Sequence, residues 1–226
     1  ADFALGSSFE NRGVISAADA LLLSASGLNN FGTLGAGAAL LVQANSMRNE
    51  GGLLFSGSQM QLRGDSLVNQ RGDLYSVGNF SFAALAPSDQ AARFSNVSGT
   101  LESEADVSIQ AKLIENIRES LDIVTRKVAV QFYDRDCTDC SGDKENVRYR
   151  LREIERTEGL NVSPQSSLLA GGNLLLSSDE LANHSRLISA NGNVQIDTTR
   201  FDNKGAQTGE YLITRRATSE REKSTG

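Results

Sequence analysis

Leu28-Asn29-Asn30-Phe31-Gly32-Thr33-Leu34 decides the fold, because near copies of it return along most of the chain. Phe9-Glu10-Asn11-Arg12-Gly13-Val14-Ile15 precedes it and Met47-Arg48-Asn49-Glu50-Gly51-Gly52-Leu53 follows. Leu67-Val68-Asn69-Gln70-Arg71-Gly72-Asp73-Leu74 and Phe94-Ser95-Asn96-Val97-Ser98-Gly99-Thr100-Leu101 carry one extra residue before the glycine. The asparagines stand at Asn11, Asn30, Asn49, Asn69, Asn96 and Asn116, in steps of 19, 19, 20, 27 and 20. After a gap the phase resumes at Asn183 and Asn203, again 20 apart. A period near twenty marks a solenoid.

Aligned on these asparagines, the apolar residues fall into columns. One reads Leu28, Met47, Leu67, Phe94, Ile114, and a second Ile15, Leu34, Leu53, Leu74, Leu101. A third is made of pairs two residues apart: Leu21/Leu23, Leu40/Val42, Met60/Leu62, Phe80/Phe82, Val107/Ile109. Leu174/Leu176, Val194/Ile196, Leu181 and Phe201 continue the columns beyond the gap. Spacing of i, i+2 is the strand period, and the intervening Gly, Ser and Asn mark turns. No coil can bury its apolar side alone. Stacking at about 4.8 Å pairs each strand with its equivalents above and below, in parallel. Parallel crossovers are right-handed in nearly all proteins, so the expected fold is an all-β, right-handed parallel β-helix. The recurrent asparagine is expected to hold the turn, and the glycine to serve a positive φ or a close-packed position.

Composition bounds the function. The formal net charge of −6 and pI near 4.9 leave no basic stripe for nucleic acid. No apolar run is long enough to span a membrane, so no membrane insertion is expected. Ala1-Asp2-Phe3 reads as mid-coil rather than a leader, so the chain reads as a piece of something longer. Two cysteines and one histidine offer little catalytic equipment, and no cofactor is expected.

The 27-residue step contains Ala86-Pro87-Ser88-Asp89-Gln90-Ala91-Ala92-Arg93, read as a loop between two strands of one coil. From Asn116 to about Ser167 the period disappears and charge concentrates: ten of the twenty-two Lys and Arg lie between Lys112 and Glu158. Val128–Tyr133 and Val147–Leu151 alternate as strands around a turn-rich tip, Asp136–Lys144. The expected organisation is β-helix coils over 1–116, a protruding β-hairpin excursion over 117–164, and coils again over 165–207. A short helix around 114–123 stays open. Residues 208–226 read as the first arm of a second hairpin, or a disordered tail that caps one end. Phe132, Tyr133, Arg135, Arg148, Tyr149 and Arg150 combine aromatic and arginine side chains, the types enriched at binding hot spots. The Cys137-x-x-Cys140 pair allows half a zinc site, a redox pair, or a local disulfide if the chain is exported.

The L-x-N columns resemble the filamentous haemagglutinin repeats. Two stretches carry this most clearly, Leu169-Ala170-Gly171-Gly172-Asn173-Leu174-Leu175-Leu176 and the run from Asn183 to Val194. The resemblance covers roughly 1–116 and 165–205. It implies a large exoprotein of two-partner secretion, an adhesin or a contact-dependent growth inhibition protein, displayed at the bacterial surface or secreted. It further implies an outer-membrane transporter as partner during export, a target-cell receptor (protein or glycan), and periplasmic transit, which supports the disulfide. No active-site residue follows from it. The competing expectation is a β-helical enzyme or binding protein acting on polysaccharide, which needs carboxylates clustered on one face. Asp65, Asp73 and Asp106 read as scattered near turns.

Overall fold

A computed structural model describes residues 1–142, 146–184 and 187–220, with the backbone alone at positions 133 and 134. Among the described residues there is no helix, and the strands form sheets of eleven, seven and three strands. The two larger sheets are parallel throughout, and the third is antiparallel. The chain divides into two compact units, Ala1–Ser120 with Ser163–Gly205, and Leu121–Val162 with Ala206–Gly226.

The first unit is the parallel β-helix. Each coil gives the eleven-stranded sheet one long strand or two short ones, such as Leu40–Glu50 or the pair Met60–Arg63 and Ser66–Gln70. It then turns and gives a four-residue strand to the seven-stranded sheet, as Leu53–Ser56 or Asp73–Ser76. Register is strict. Leu28 pairs with Met47, Met47 with Leu67, Leu67 with Phe94, Phe94 with Ile114 and Ile114 with Leu181. The i, i+2 pairs stack in the same way from Leu21/Leu23 to Val194/Ile196. From Leu21/Leu23 to Leu174/Leu176 these side chains form one continuous buried core, with Ile196 packed against its end and Val194 exposed. Phe82 and Phe94 meet inside it, ring centroids 5.7 Å apart and tilted by 49°.

One column differs from expectation. Leu34 pairs with Leu54, and Leu54 with Leu74, so Leu54 is buried at 1% exposure while Leu53 turns outward. The cause is a one-residue lengthening of the turn. In the first two coils two positions carry the chain from asparagine to glycine, Arg12-Gly13 and Phe31-Gly32; after Asn49, Asn69 and Asn96 there are three. The additional residue adopts a left-handed conformation: Gly51 (φ 61°), Arg71 (φ 53°) and Ser98 (φ 51°). The glycine that follows is required by close approach. A Cβ on Gly72 would stand 2.4 Å from Asn49 Nδ2 and 2.8 Å from Asn69 Oδ1, and Gly52 and Gly99 repeat this.

Beside these glycines runs an amide ladder. Asn11 Nδ2 donates to Asn30 Oδ1 at 2.7 Å, Asn30 to Asn49 at 2.7 Å, Asn49 to Asn69 at 2.8 Å and Asn69 to Asn96 at 2.9 Å. Asn96 donates to Asn116 at 3.1 Å, Asn116 to Asn183 at 2.9 Å and Asn183 to Asn203 at 2.9 Å. The same Nδ2 atoms bond backbone carbonyls, for example Asn69 to Gly72 O at 2.8 Å and to Thr100 O at 3.2 Å. A carbonyl only accepts, so these contacts fix which side-chain atom is nitrogen and make every rung point the same way.

The ladder passes over the excursion without a break. The chain leaves at Ser120 and returns at Ser163, whose N–H donates to Ser120 O at 3.1 Å. Ser98 Oγ accepts from Glu119 N at 3.0 Å and lies 2.9 Å from Ser163 Oγ, fastening both ends to the coil beneath. These bonds keep 117–120 with the β-helix rather than with the excursion. The open helix around 114–123 is excluded, since Val107–Ile117 is one strand continuing the columns.

The second unit is a three-stranded sheet in the order Asp122–Asp139, Asn146–Leu160, Gly209–Ser219. The two hairpin arms are far longer than the alternating stretches suggested. Gly209–Ser219 is a strand, as the sequence suggested, but it joins the sheet of the first excursion. It pairs antiparallel with Val147–Thr157 as a third strand, because Tyr211-Leu212-Ile213 finds in Ile154 and Glu153 a ready alternating partner. Residues 221–226 lie outside the described residues.

Candidate functional site

The hairpin residues singled out in the sequence split between two faces. Phe132 pairs with Leu151 and Arg135 with Tyr149, so Phe132, Arg135 and Tyr149 share one face of the three-stranded sheet. The Phe132 and Tyr149 rings meet edge to face at 6.4 Å and 72°, and Phe132 is 75% exposed. Arg148 and Arg150 project from the opposite face, with Arg150 directly opposite Arg216. Tyr133 belongs to the set by sequence, but its side chain lies outside the described residues. Cys137 and Cys140 are joined by a disulfide, with Cα atoms 6.0 Å apart, at the far end of the first arm.

Near Phe132, Glu153 is 5% exposed and holds Arg215 Nε at 2.8 Å and Lys127 Nζ at 3.0 Å. Three strands thus share one ion cluster. Hydrogen bonds from Arg215 first and Lys127 second keep the Glu153 carboxyl below the ordinary carboxylate range, outweighing its desolvation.

A second surface lies on the outward face of the seven-stranded sheet. Phe55 and Tyr75 pair in register on adjacent coils, with rings 5.9 Å apart and only 7° from parallel. Tyr75 Oη donates to Glu104, whose carboxylate, aided by desolvation, raises the phenol above its usual pKa of 10. The rings line a groove of about 280 Å³ with Leu53, Asp73, Thr100 and Glu102. A neighbouring groove of about 390 Å³ is lined by Glu102, Glu104, Leu169, Ser189 and Asn191 among others.

The acids at the turns are better organised than the sequence suggested. Asp106 Oδ1 accepts from Asn173 N at 2.6 Å, Asp106 N donates to Asn79 Oδ1 at 3.2 Å, and Asn193 N donates to Asn173 Oδ1 at 3.0 Å. Asn79, Asp106, Asn173 and Asn193 therefore form a shorter second ladder at another corner of the coil. Asp65 Oδ1 accepts from Ala92 N at 3.1 Å and ties down the return of the seven-residue insertion, where Ala91–Val97 is already a strand, so the loop read over 86–93 ends before Ala91. These carboxylates are occupied in holding turns. Among the described residues, no group of three or more His, Cys, Asp or Glu is placed to hold a metal. The aromatic column had a signal that could have been read: Phe55 and Tyr75 stand 20 apart, the same step as the core columns.

The haemagglutinin repeat family model matches residues 1–51, 48–86, 89–126 and 168–217. The chain belongs to the haemagglutinin repeat family. No curated protein and no solved structure matches it. The family is structural rather than enzymatic, and its members are typically secreted or exposed at the cell surface.

Proposed function

We propose that this chain is a stiff shaft segment of a secreted, surface-displayed bacterial exoprotein, and that its three-stranded sheet contacts a receptor on target cells. The observation that carries the shaft reading is the asparagine ladder, continuous from Asn11 to Asn203 across an insertion of more than forty residues. Such a ladder ties each coil to the next through buried, directional bonds and serves extension rather than chemistry. The resemblance to two-partner exoproteins adds export through an outer-membrane transporter. The adhesive role rests on Phe132, a large apolar ring left 75% exposed against Tyr149 and beside Arg135.

The test uses the full parent protein displayed on cells. Replacing Phe132 and Tyr149 together by alanine is expected to lower target-cell attachment about tenfold or more. Replacing Arg148 and Arg150 on the other face should leave attachment within about twofold. Attachment unchanged by the aromatic pair would leave the sheet with a structural role only.

A further inference from the structure

We propose that the outward face of the seven-stranded sheet binds a neutral oligosaccharide, with Phe55 and Tyr75 as stacking platform and Glu102 as acceptor of sugar hydroxyls. The site rests on the β-helix alone and is independent of the Phe132 surface. Phe55, Tyr75, Glu102, Leu169 and Ser189 follow one another in register along a single outward column. Four coil steps at about 4.8 Å make a track about 19 Å long, enough for several linked pyranose rings.

The chemistry of the lining selects the ligand. Two nearly parallel rings offer electron-rich faces to the C–H bonds of a pyranose. The bond from Tyr75 to Glu104 fixes the phenol and leaves its oxygen free to accept. Further along, the hydroxyl of Ser189 and the amide of Asn191 bring donors close to the carboxylates of Glu102 and Glu104. Donors and acceptors mixed along an apolar floor match a ligand whose hydroxyls both give and take hydrogen bonds. A cationic peptide would satisfy the carboxylates and oppose the donors. A sulfated or uronic-acid glycan is disfavoured, since among the described residues lining the two grooves there is no lysine or arginine.

The full chain would be applied to a broad array of neutral and acidic glycans, and the strongest neutral ligand titrated by calorimetry. Phe55→Ala and Tyr75→Ala are each expected to weaken binding about tenfold or more. Tyr75→Phe, which keeps the ring, should lose no more than about threefold. Glu102 is exposed, so Glu102→Ala leaves folding unaffected and should still cost about tenfold. Phe132→Ala should bind as the parent does. The proposal is overturned if no neutral glycan binds, if binding survives Phe55→Ala and Glu102→Ala, or if only acidic glycans or a tetra-arginine peptide bind.

Discussion

At Asn69 one buried carboxamide serves four neighbours: it accepts from Asn49 and donates to Asn96 Oδ1, Gly72 O and Thr100 O. Asn69→Ala removes these bonds and leaves Asn96 Oδ1 without its donor, for an expected loss of about 2 to 3 kcal/mol in urea unfolding. Asn69→Asp is expected to be worse at neutral pH, because a carboxylate there faces three acceptors with nothing to donate. Its folded-state pKa would be raised, so the variant's stability is full below about 4, the unfolded value, and is lost as pH rises from there through the higher folded value. A variant equally unstable at both ends of that range would contradict the stated direction of the rungs. The glycines separate in the same assay. Gly72→Ala pushes a methyl into the ladder and should cost more than about 3 kcal/mol. Gly51→Ala meets open space and strains only a left-handed backbone, for about 1 kcal/mol. Ser76 Oγ is buried without a hydrogen-bond partner among the described residues, so Ser76→Ala should be neutral or slightly stabilising.

At the scale of the element, Glu153 is the common tie of the three-stranded sheet. Its pKa is depressed by Arg215 and Lys127, so its contribution is fully present above the unfolded carboxylate value near 4.3 and lost as pH falls through the lower folded value. Hydrogen exchange should therefore show Gly209–Ser219 losing protection as pH falls below about 4, before the β-helix does. Glu153→Gln should weaken protection already at neutral pH and abolish that acid step. The alternating pattern of Val128–Tyr133 and Val147–Leu151 was enough to read two arms. The third strand was not legible, because Thr208–Arg216 states only that it is a strand, and its partner lies more than fifty residues away. The slip from Leu53 to Leu54 has a comparable origin: consecutive glycines offer two alignments, and only the left-handed turn at Gly51 selects one. The second ladder was hidden because aspartate replaces asparagine at Asp106, which breaks the visible repeat while keeping the acceptor.

Across the whole chain, the columns and the first ladder were readable because identical side chains return at a nearly constant step. The surfaces were harder to see: Phe132 follows no period, and the step from Phe55 to Tyr75 is a single repeat set among many others of the same length. Two units follow from the contacts, and they should be separable. Replacing 121–162 by a short glycine link between Ser120 and Ser163 is expected to leave the β-helix cooperative, with a urea midpoint within about 10% of the parent's. Residues 209–219 would lose their pairing strand and become the first site of proteolysis. Collapse of the β-helix in that deletion would mean that the excursion, and not the ladder, holds the two runs of coils together.

The left-handed residue between asparagine and packed glycine has an evolutionary corollary. One codon gained or lost there changes the circumference of a turn and leaves both flanking strands in phase, as the difference between the turns after Asn30 and Asn49 illustrates. The same codon inside a strand would rotate a whole row of leucines into solvent. Length variation among such coils should therefore gather at that one point, giving the lineage a safe place to mutate.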